Sequence, residues 1–508
     1  MFRMNHIILS VVVGASTLLL YTITNQRITR TKAARQHGCK PPFTYPHLDP
    51  IFVIDLKLQE ILKFLHHQSL PFSTNLHTKY GKTYEAVYST NHADWGYETL
   101  RLPVMGPFCG RGFVTTDGET WRKCRALLRP TFSRSNIYDL GVYKAAVERF
   151  LKCIPGDGRT TVDLQPLLAN LDQTEVPREE ILMREQYLET SFNFLIGVSP
   201  NTSNEQERNK ATTFIQAFNS SIIGMGLSLM LGPFKFLLPK SLTTTAHKQV
   251  HGYIDLFVDK SLEKLQEETT TGTTSSSHTP DPVQKSLLEG LSEQTNDRIE
   301  IRQNVIQGML AAQGTTYVLI RNTLFLLSRN PGLYKRLRDE VQHLDFEADA
   351  NLFDVLRDQE FIHNILREAL RLYPVFPNMG HIALRDTTLP RGGGPNNQSP
   401  IFIPRGTMMY VNQYALHRNK TVFGADAESF NPDRWKSINP SPWEYIPFGG
   451  GPRACVGQQK ALVEAAYTLA KMAQGYRGLE SQNGREWEGE WKLTAKNVNG
   501  CKVVCIPA

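Results

Sequence analysis

The stretch Phe448-Gly-Gly-Gly-Pro-Arg-Ala-Cys455-Val-Gly457 places one cysteine in a glycine-rich turn, with an arginine two residues before it and a glycine two residues after it. No second cysteine or histidine lies close enough in the sequence to complete a zinc or iron–sulfur site. A lone thiolate presented in this way can instead be the axial ligand of one haem iron. The alternative interpretation is a structural turn with an inert cysteine. Directly downstream, Gln458–Gly475 predicts an amphipathic helix.

The pattern Phe-x-x-Gly-x-Arg-x-Cys-x-Gly resembles the haem-binding loop of the cytochromes P-450, and every position matches. Gly451 permits a tight turn, and Gly457 lets the following helix approach the porphyrin closely. Backbone N–H groups at the start of that helix can keep the sulfur ionised. The resemblance implies that Arg453 pairs with a haem propionate and that Phe448 shields the sulfur from water. Cys455 is therefore the expected iron ligand of a haem b.

Two further elements of that family lie upstream of the loop, in the family's order. Glu368 and Arg371 are three residues apart on one predicted helical face, and Arg434 follows within Phe430-Asn-Pro-Asp-Arg-Trp. A pair at this spacing is by itself most often a surface ion pair. The resemblance implies instead a buried charged triad that fixes the core around the haem. Such a triad specifies geometry more than it adds stability.

Three other residues are candidates for contact with the haem carboxylates. Trp121 and Arg125 are four residues apart and share a helix face, as in the family's Trp-x-x-x-Arg element. Ordinary packing with a solvated charge is the alternative for this pair. In the strand expected after Pro374, the family's usual propionate-binding arginine is replaced by His381. A histidine can donate one such hydrogen bond, or two when it is protonated.

A long apolar run over about residues 303–328 predicts one helix that ends at Asn330-Pro331. Within this run, Thr315 matches the family's oxygen-activation threonine, whose hydroxyl relays protons. The residue before it is usually an acid, and here it is Gly314, which weakens the assignment of proton delivery. A threonine that only bonds its own helix backbone is the alternative.

Composition limits the classes of partner. Hydrophobic residues make up 41% of the 508, which supports a substantial core. A net charge of +7 suits an anionic membrane surface or an acidic partner protein. The sequence shows no zinc finger, basic helix or RNA-binding aromatic signature, so no nucleic-acid partner is expected. Seven scattered cysteines argue against a disulfide framework and for a reducing compartment.

Residues 7–23 are mostly apolar and would form a helix of roughly 25 Å, at the short end of a membrane span. A cleaved signal peptide is the alternative, but no small-residue cleavage site follows. Positive charges between Arg27 and Arg35 then keep the body cytosolic by the positive-inside rule. We predict a single-pass anchor over residues 1–26, placed in the endoplasmic reticulum, and a basic, proline-rich linker over residues 27–50.

Four other stretches stand out. The chain between Tyr84 and Gly112 is about one strand pair and a short helix too short for the family, whereas Asp172–Glu189 is a charged insertion. Either the substrate entrance is unusual or the gene model contains errors. The polar stretch Glu267–Pro282 predicts a disordered surface loop inside one domain. Turn and strand signals over residues 390–404 predict a small β portion.

From about residue 38 to its end, the chain is similar to the cytochrome P-450 superfamily. The implied fold is a single large, mainly α domain with a small β lobe over residues 51–508, behind an N-terminal membrane helix. The stretches Arg385-Asp-Thr-Thr-Leu-Pro-Arg-Gly-Gly-Gly-Pro395 and Tyr414-Ala-Leu-His-Arg418 resemble the fungal alkane and fatty-acid hydroxylases.

The resemblance implies a haem-thiolate monooxygenase that inserts one atom of O₂ into a C–H bond of a small lipophilic substrate. Its electrons would come from NADPH through a membrane-bound reductase, with Lys460 the preferred docking residue because it is close to the cysteine loop. The competing hypothesis is a haem-thiolate protein that rearranges an oxygenated lipid, or a catalytically impaired relative.

Overall fold

The computed structural model describes residues 2–42, 54–80, 92–164, 192–198, 204–271, 285–312, 314–346, 352–491 and 494–508. Helices dominate these residues, as predicted. They are α1 (Phe2–Gln36), α2 (Ile54–Leu65), α3 (Ser69–Tyr80), α4 (Glu98–Cys109), α5 (Gly118–Leu128), α6 (Arg134–Ile137), α7 (Gly141–Lys152), α8 (Glu205–Leu231), α9 (Thr244–Thr271), α10 (Leu287–Ser292), α11 (Arg298–Ala312), α12 (Thr315–Ser328), α13 (Pro331–Val341), α14 (Leu352–Arg357), α15 (Glu360–Leu372), α16 (Gln413–Leu416), α17 (Lys420–Phe423) and α18 (Gln458–Gly475).

The strands form small antiparallel sheets, which confirms a minor β portion. They are β1 (Trp95–Gly96), β2 (Thr161–Asp163), β3 (Asn378–Ala383), β4 (Thr387–Gly393), β5 (Ser399–Ile403), β6 (Met408–Asn412), β7 (Tyr476–Ser481), β8 (Gly489–Trp491), β9 (Ala495–Asn497) and β10 (Lys502–Pro507). Two sheets have three strands, in the orders β1-β3-β6 and β2-β10-β7, and two pairs join β4 with β5 and β8 with β9.

The core lies where α12, α15 and α18 pack against one another. In α15, Phe361, Ile362, Ile365 and Leu366 recur at helical spacing and are all buried. The helix α18 runs from Gln458 to Gly475 as predicted, and its inner turns are rich in buried alanine, which allows close helix packing. This core places the start of α18, directly after the cysteine loop, beside the helices that carry the other motifs.

The prediction of one continuous helix over residues 303–328 is wrong. The structure has two helices, because Gly314 adopts φ 85° and ψ −11°, which is the left-handed conformation. A residue with a Cβ atom rarely adopts that conformation, whereas glycine does so freely. The second helix ends at Ser328, two residues before Asn330-Pro331, as predicted.

The structure describes only part of three other predicted stretches or none of their residues. Helix α9 continues to Thr271, so the loop predicted from Glu267 is wrong for its first five residues, and its remainder lies outside the described residues. The region between Tyr84 and Gly112 contains β1 and α4 in its described part, from residue 92 onward. The insertion Asp172–Glu189 also lies outside the described residues.

At the N-terminus, α1 runs without interruption across the predicted boundary at residue 26 and ends at Gln36. Among the residues that the structure describes, no helix combines the length and the apolar character that crossing a membrane requires.

The first part of the predicted linker is held by the β4–β5 pair. The Lys40 N–H donates to the Pro400 carbonyl at 2.9 Å, and the Gly394 N–H donates to the Pro41 carbonyl at 3.0 Å. A Cβ atom on Gly393 would lie 2.5 Å from the Lys40 carbonyl oxygen, so only glycine permits this approach. The glycine run after Arg391 therefore serves to dock the segment that follows α1.

Candidate haem site

The loop that carries Cys455 is closed by its own backbone. The Cys455 N–H donates to the Phe448 carbonyl at 3.0 Å, and Gly449 and Gly451 both have positive φ values, 72° and 63°. The predicted turn at Gly451 is therefore present, and glycine is needed there. Gly457 then leads into α18. This geometry holds Cys455 at the start of a helix.

The thiol of Cys455 is under two opposing influences. Burial of the surrounding region raises the pKa of the Cys455 thiol above its ordinary value, and the Gly457 N–H and the positive charge of Arg125 offset only part of that rise. Of the seven cysteines, Cys455 is the one that is exposed. A metal cation deprotonates the thiol that it binds, and the nearby donor and cation would then help to stabilise the thiolate that a metal ligand must provide.

Gly457 lies close to the Cys455 sulfur and is not crowded by other protein atoms. A Cβ atom added to Gly457 would meet nothing nearer than the Phe132 ring at 3.6 Å and the Cys455 sulfur at 4.0 Å. The protein itself therefore does not require glycine at this position, which fits the close approach of a porphyrin. Phe448 is partly buried against the neighbouring core, and its role as a shield of the sulfur stays a prediction.

Arg453 and Arg125 provide desolvated positive charge next to the loop. The Arg453 guanidinium donates to the Thr116 carbonyl at 3.0 Å, and the nearest carboxylate in the described residues is Asp117 at 3.7 Å. Burial lowers the pKa of Arg453 to about 10. Arg125 donates to the Ala454 carbonyl at 2.6 Å, and burial lowers its pKa also. Arg453 has one long ion pair, to Asp117, and Arg125 has none among the described residues, so these desolvated guanidinium groups suit an anionic ligand such as a haem propionate.

Trp121 contributes to the same group of side chains. The Arg453 guanidinium lies over the Trp121 ring at 4.6 Å and over the Tyr97 ring at 4.8 Å. Trp121 therefore positions Arg453 by cation–π contact, in addition to the indole N–H predicted for the propionate. The sequence prediction brought Trp121, Arg125 and Arg453 to one place, and the structure does the same.

His381 lies on β3 and contacts Tyr97, a residue that the sequence prediction missed. The Tyr97 hydroxyl and His381 Nε2 are 2.7 Å apart, and both side chains are buried. Burial, with smaller contributions from Arg101 and Arg453, lowers the pKa of His381 to about 3. The imidazole is neutral at pH 7, so it can donate one hydrogen bond and not two.

Glu368, Arg371 and Arg434 meet in the core. Glu368 accepts hydrogen bonds from Arg371 Nη2 at 2.8 Å and from Arg434 Nε at 3.2 Å. It also accepts from Trp435 Nε1 at 3.0 Å and from the Asn431 N–H at 3.0 Å. Glu368 and Arg371 are fully buried, and every oxygen of the carboxylate is in use. Arg371 extends the network to the carbonyls of three later residues, which are His417, Ala427 and Ser429.

Thr315 begins α12, directly after the left-handed Gly314. Its hydroxyl donates to the Ala311 carbonyl at 3.1 Å, which is the backbone bond that the alternative interpretation described. The hydroxyl therefore spans the break between α11 and α12, and its lone pairs remain able to accept a proton donor. No local signal predicted the break, because glycine is also common in continuous helices where small residues are needed.

Comparisons with known proteins identify the family. The cytochrome P450 family model matches residues 84–490. Cytochrome P450 monooxygenase himC from Aspergillus japonicus is 33% identical to this chain, over 97% of this chain and 89% of its own length. Cytochrome P450 monooxygenase FPY7 from Fusarium mangiferae is also 33% identical, over 96% of this chain and 94% of its own length. Cytochrome P450 52E2 from Candida apicola is 29% identical over 93% of this chain and 91% of its own length. The chain has the Cys455 loop and the buried triad, and it is similar to these proteins over nearly its full length. It therefore belongs to the cytochrome P450 family of monooxygenases.

Proposed function

We propose that this enzyme hydroxylates a lipophilic substrate, a fatty acid or an alkane, with O₂ and with electrons that a reductase takes from NADPH. The observation that supports the chemistry most directly is the accessible Cys455 thiol, held at a helix start between the Gly457 N–H and the Arg125 guanidinium. The sequence resemblance to fungal alkane and fatty-acid hydroxylases supports the substrate class.

The residues of the site have separate tasks toward a haem b. Cys455 would ligate the iron, and Arg453, Arg125, Trp121 and His381 would hold the two carboxylates. Because His381 is neutral, the positive charge must come from the two arginines. When bound, the haem supplies the activation of O₂ and the transfer of one oxygen atom to carbon.

Proton delivery depends on Thr315. Its Oγ1 is fixed by the bond to the Ala311 carbonyl, and Gly314 offers no carboxylate beside it. The hydroxyl oxygen can accept a hydrogen bond from a proton donor while its own hydrogen is donated to the helix carbonyl. We therefore expect weak coupling of NADPH oxidation to product.

The docking face for the reductase needs a different residue from the one that the sequence suggested. Lys460 forms an ion pair with Glu464 and lies 4.5 Å from the centre of the Phe194 ring, so its charge is already engaged. Arg129 is exposed, makes no ion pair within the described residues and follows α5 four residues after Arg125, which reaches the cysteine loop. We propose Arg129 as a contact for an acidic reductase.

This proposal is testable by the rate of haem reduction. Arg129→Glu should slow reduction by the reductase at low ionic strength and have little effect at high salt, because electrostatic steering is screened. Lys335→Glu is the control. Lys335 lies on α13, which contacts the C-terminal end of α18 through the Arg338 bond to the Ala473 carbonyl, away from the cysteine loop. Equal rates for Arg129→Glu and the parent at low salt would remove Arg129 from the docking face.

We also propose that α1 attaches the enzyme to the endoplasmic reticulum membrane as a single-pass anchor, with the catalytic domain cytosolic. The apolar residues 7–23 and the following basic residues support this, as does the docking of Lys40 and Pro41 on the sheet. A chain without residues 1–36 should bind haem and sediment less with membranes. Unchanged sedimentation would contradict the anchor.

Two measurements test the main proposal. The reduced protein should give the carbon monoxide spectrum of a thiolate-ligated haem. With a reductase, a fatty acid or alkane should stimulate NADPH consumption and yield a hydroxylated product. The competing function, rearrangement of an oxygenated lipid, is supported by the missing acid at Gly314, since that reaction needs no proton relay. Conversion of a lipid hydroperoxide without NADPH, and no hydroxylation, would favour it.

A further inference from the structure

Two glutamines on α11, the half-buried Gln303 and the fully buried Gln307, hold the segment Cys109–Thr116, which connects α4 to α5 and passes the haem site. The Gln307 Oε1 accepts a hydrogen bond from the Val114 N–H at 2.7 Å. Its Nε2 donates to the Cys109 carbonyl at 3.0 Å, to Thr115 Oγ1 at 3.1 Å and, at a longer 3.3 Å, to the Gly110 carbonyl. One side chain thus bonds four separate points of the segment.

The segment is shaped to receive these glutamines. Gln303 Oε1 accepts from the Arg111 N–H at 3.1 Å. A Cβ atom on Gly110 would lie 2.2 Å from the Gln303 carboxamide carbon, and one on Gly112 would lie 2.6 Å from Gln307 Nε2. Gly110 also has a φ of 64°, which favours glycine. The two glycines therefore make room for the two amides.

The far end of the same segment contacts the cysteine loop. Thr116 Oγ1 donates to the Gly112 carbonyl at 2.7 Å, and the Thr116 carbonyl accepts from Arg453 Nη1 at 3.0 Å. Arg453 is two residues before Cys455. A continuous set of hydrogen bonds therefore leads from Gln307, through the turn over residues 112–116, to the guanidinium beside the haem site.

We propose that Gln307 is a positioning residue for the haem, because it fixes the carbonyl that orients Arg453. The inference rests on the haem site proposed above. Without the Gln307 amide, the partly buried Val114 N–H loses its partner, so the segment must move to satisfy it. Arg453 then loses the acceptor that holds its guanidinium toward a propionate, since a site is only as rigid as the shell that supports it.

The test measures haem release from the holoenzyme to an excess of apomyoglobin. Gln307→Met keeps the length of the side chain and removes its amide, and we expect release about tenfold faster, the effect of one lost buried partner. Asn322→Leu is the matched control. Asn322 lies on α12 and is buried like Gln307. Among the described residues its Oδ1 accepts one hydrogen bond, from Trp487 Nε1 at 3.3 Å. The rate of haem release from Asn322→Leu should therefore equal that of the parent.

A double variant shows whether Gln307 acts through Arg453. In the Arg453→Met background, Gln307→Met should add nothing to the release rate, because the group that it positions is gone. Parental release from Gln307→Met, or fully additive effects in the double variant, would overturn the inference. If Gln307→Met does not fold, Gly112→Ala disturbs the same contact from the segment side, and parental release from it would count against the inference equally. A parent that binds no haem would overturn the proposed function itself.

Discussion

The Cys455 loop and the segment Cys109–Thr116 face the same site, but they are fixed in different ways. The loop closes on itself through one backbone bond, from the Cys455 N–H to the Phe448 carbonyl, across seven residues. The segment is held by the side chains of Gln303 and Gln307, nearly two hundred residues away. The cysteine ligand is therefore set by local chain geometry, whereas the surroundings of the carboxylates depend on how distant elements pack.

The largest expected effect comes from the locally fixed region. Cys455→Ser should abolish the absorption of a thiolate-ligated haem in the reduced carbonyl form, because no other described cysteine lies in such a loop. Cys39→Ser is a suitable control, since Cys39 is half-buried and its Sγ donates to the His37 carbonyl. A normal spectrum from Cys455→Ser would end the assignment of the ligand.

The next effect tests the buried charged network of Glu368, Arg371 and Arg434. Glu368→Gln leaves Arg371 and Arg434 without a buried carboxylate, and we expect the free energy of unfolding to fall by about 3–5 kcal/mol. Glu340→Gln, which breaks an exposed pair with Arg336, should cost about 0–1 kcal/mol. Denaturant unfolding of both variants measures the difference. Similar losses of unfolding free energy in the two variants would show that the triad stabilises the fold no more than a surface ion pair does.

A smaller effect is expected at the break between α11 and α12. Gly314→Ala should destabilise the protein by about 1–2 kcal/mol, because Gly314 has a φ of 85°. The new Cβ atom would also lie 3.0 Å from the Tyr317 ring. Gly332→Ala is the control, since nothing lies within 4 Å of a Cβ atom there. Equal thermal midpoints for the two variants would argue against a strained position.

The last effect, similar in size to the one at Gly314, concerns protonation at the His381–Tyr97 pair. The pKa of His381 is about 3 in the folded protein and about 6.5 for an ordinary histidine, so only the unfolded chain gains a proton as pH falls from 6.5 toward 3. The folded state therefore loses stability over this range, by at most about 1.4 kcal/mol per pH unit for each such histidine. In unfolding measured at pH 7 and pH 5, His381→Gln should lose less stability than the parent. Identical losses would contradict a neutral, buried His381.

Local spacing was enough to predict several features. The residues around Cys455 predicted a turn followed by a helix, and the structure has that turn and α18 from Gln458 to Gly475. Glu368 and Arg371 were expected to share a helix face, and they do. These features depend on contacts within a few residues, which a sequence displays directly.

Other features could not be read from the sequence, because they depend on residues far apart. Tyr97 and His381 are separated by 284 positions and meet only when β1 pairs with β3. The ion pair of Lys460 with Glu464, four residues on, could have been expected from the sequence, whereas the packing of Lys460 against the Phe194 ring could not. The left-handed Gly314 has the same one-letter code as a glycine in a regular helix, and only the backbone reveals its conformation.

The sequence by itself indicated the family, the cysteine that we propose as the iron ligand and the helical character of the chain, because short motifs encode local turns and helix faces. The tertiary structure showed that Trp121, Arg125 and Arg453 come together beside the cysteine loop. It also showed that Gln307, through the Thr116 carbonyl, reaches Arg453. The physical reason is that burial, charge pairing and hydrogen bonding between distant segments arise only when the chain packs.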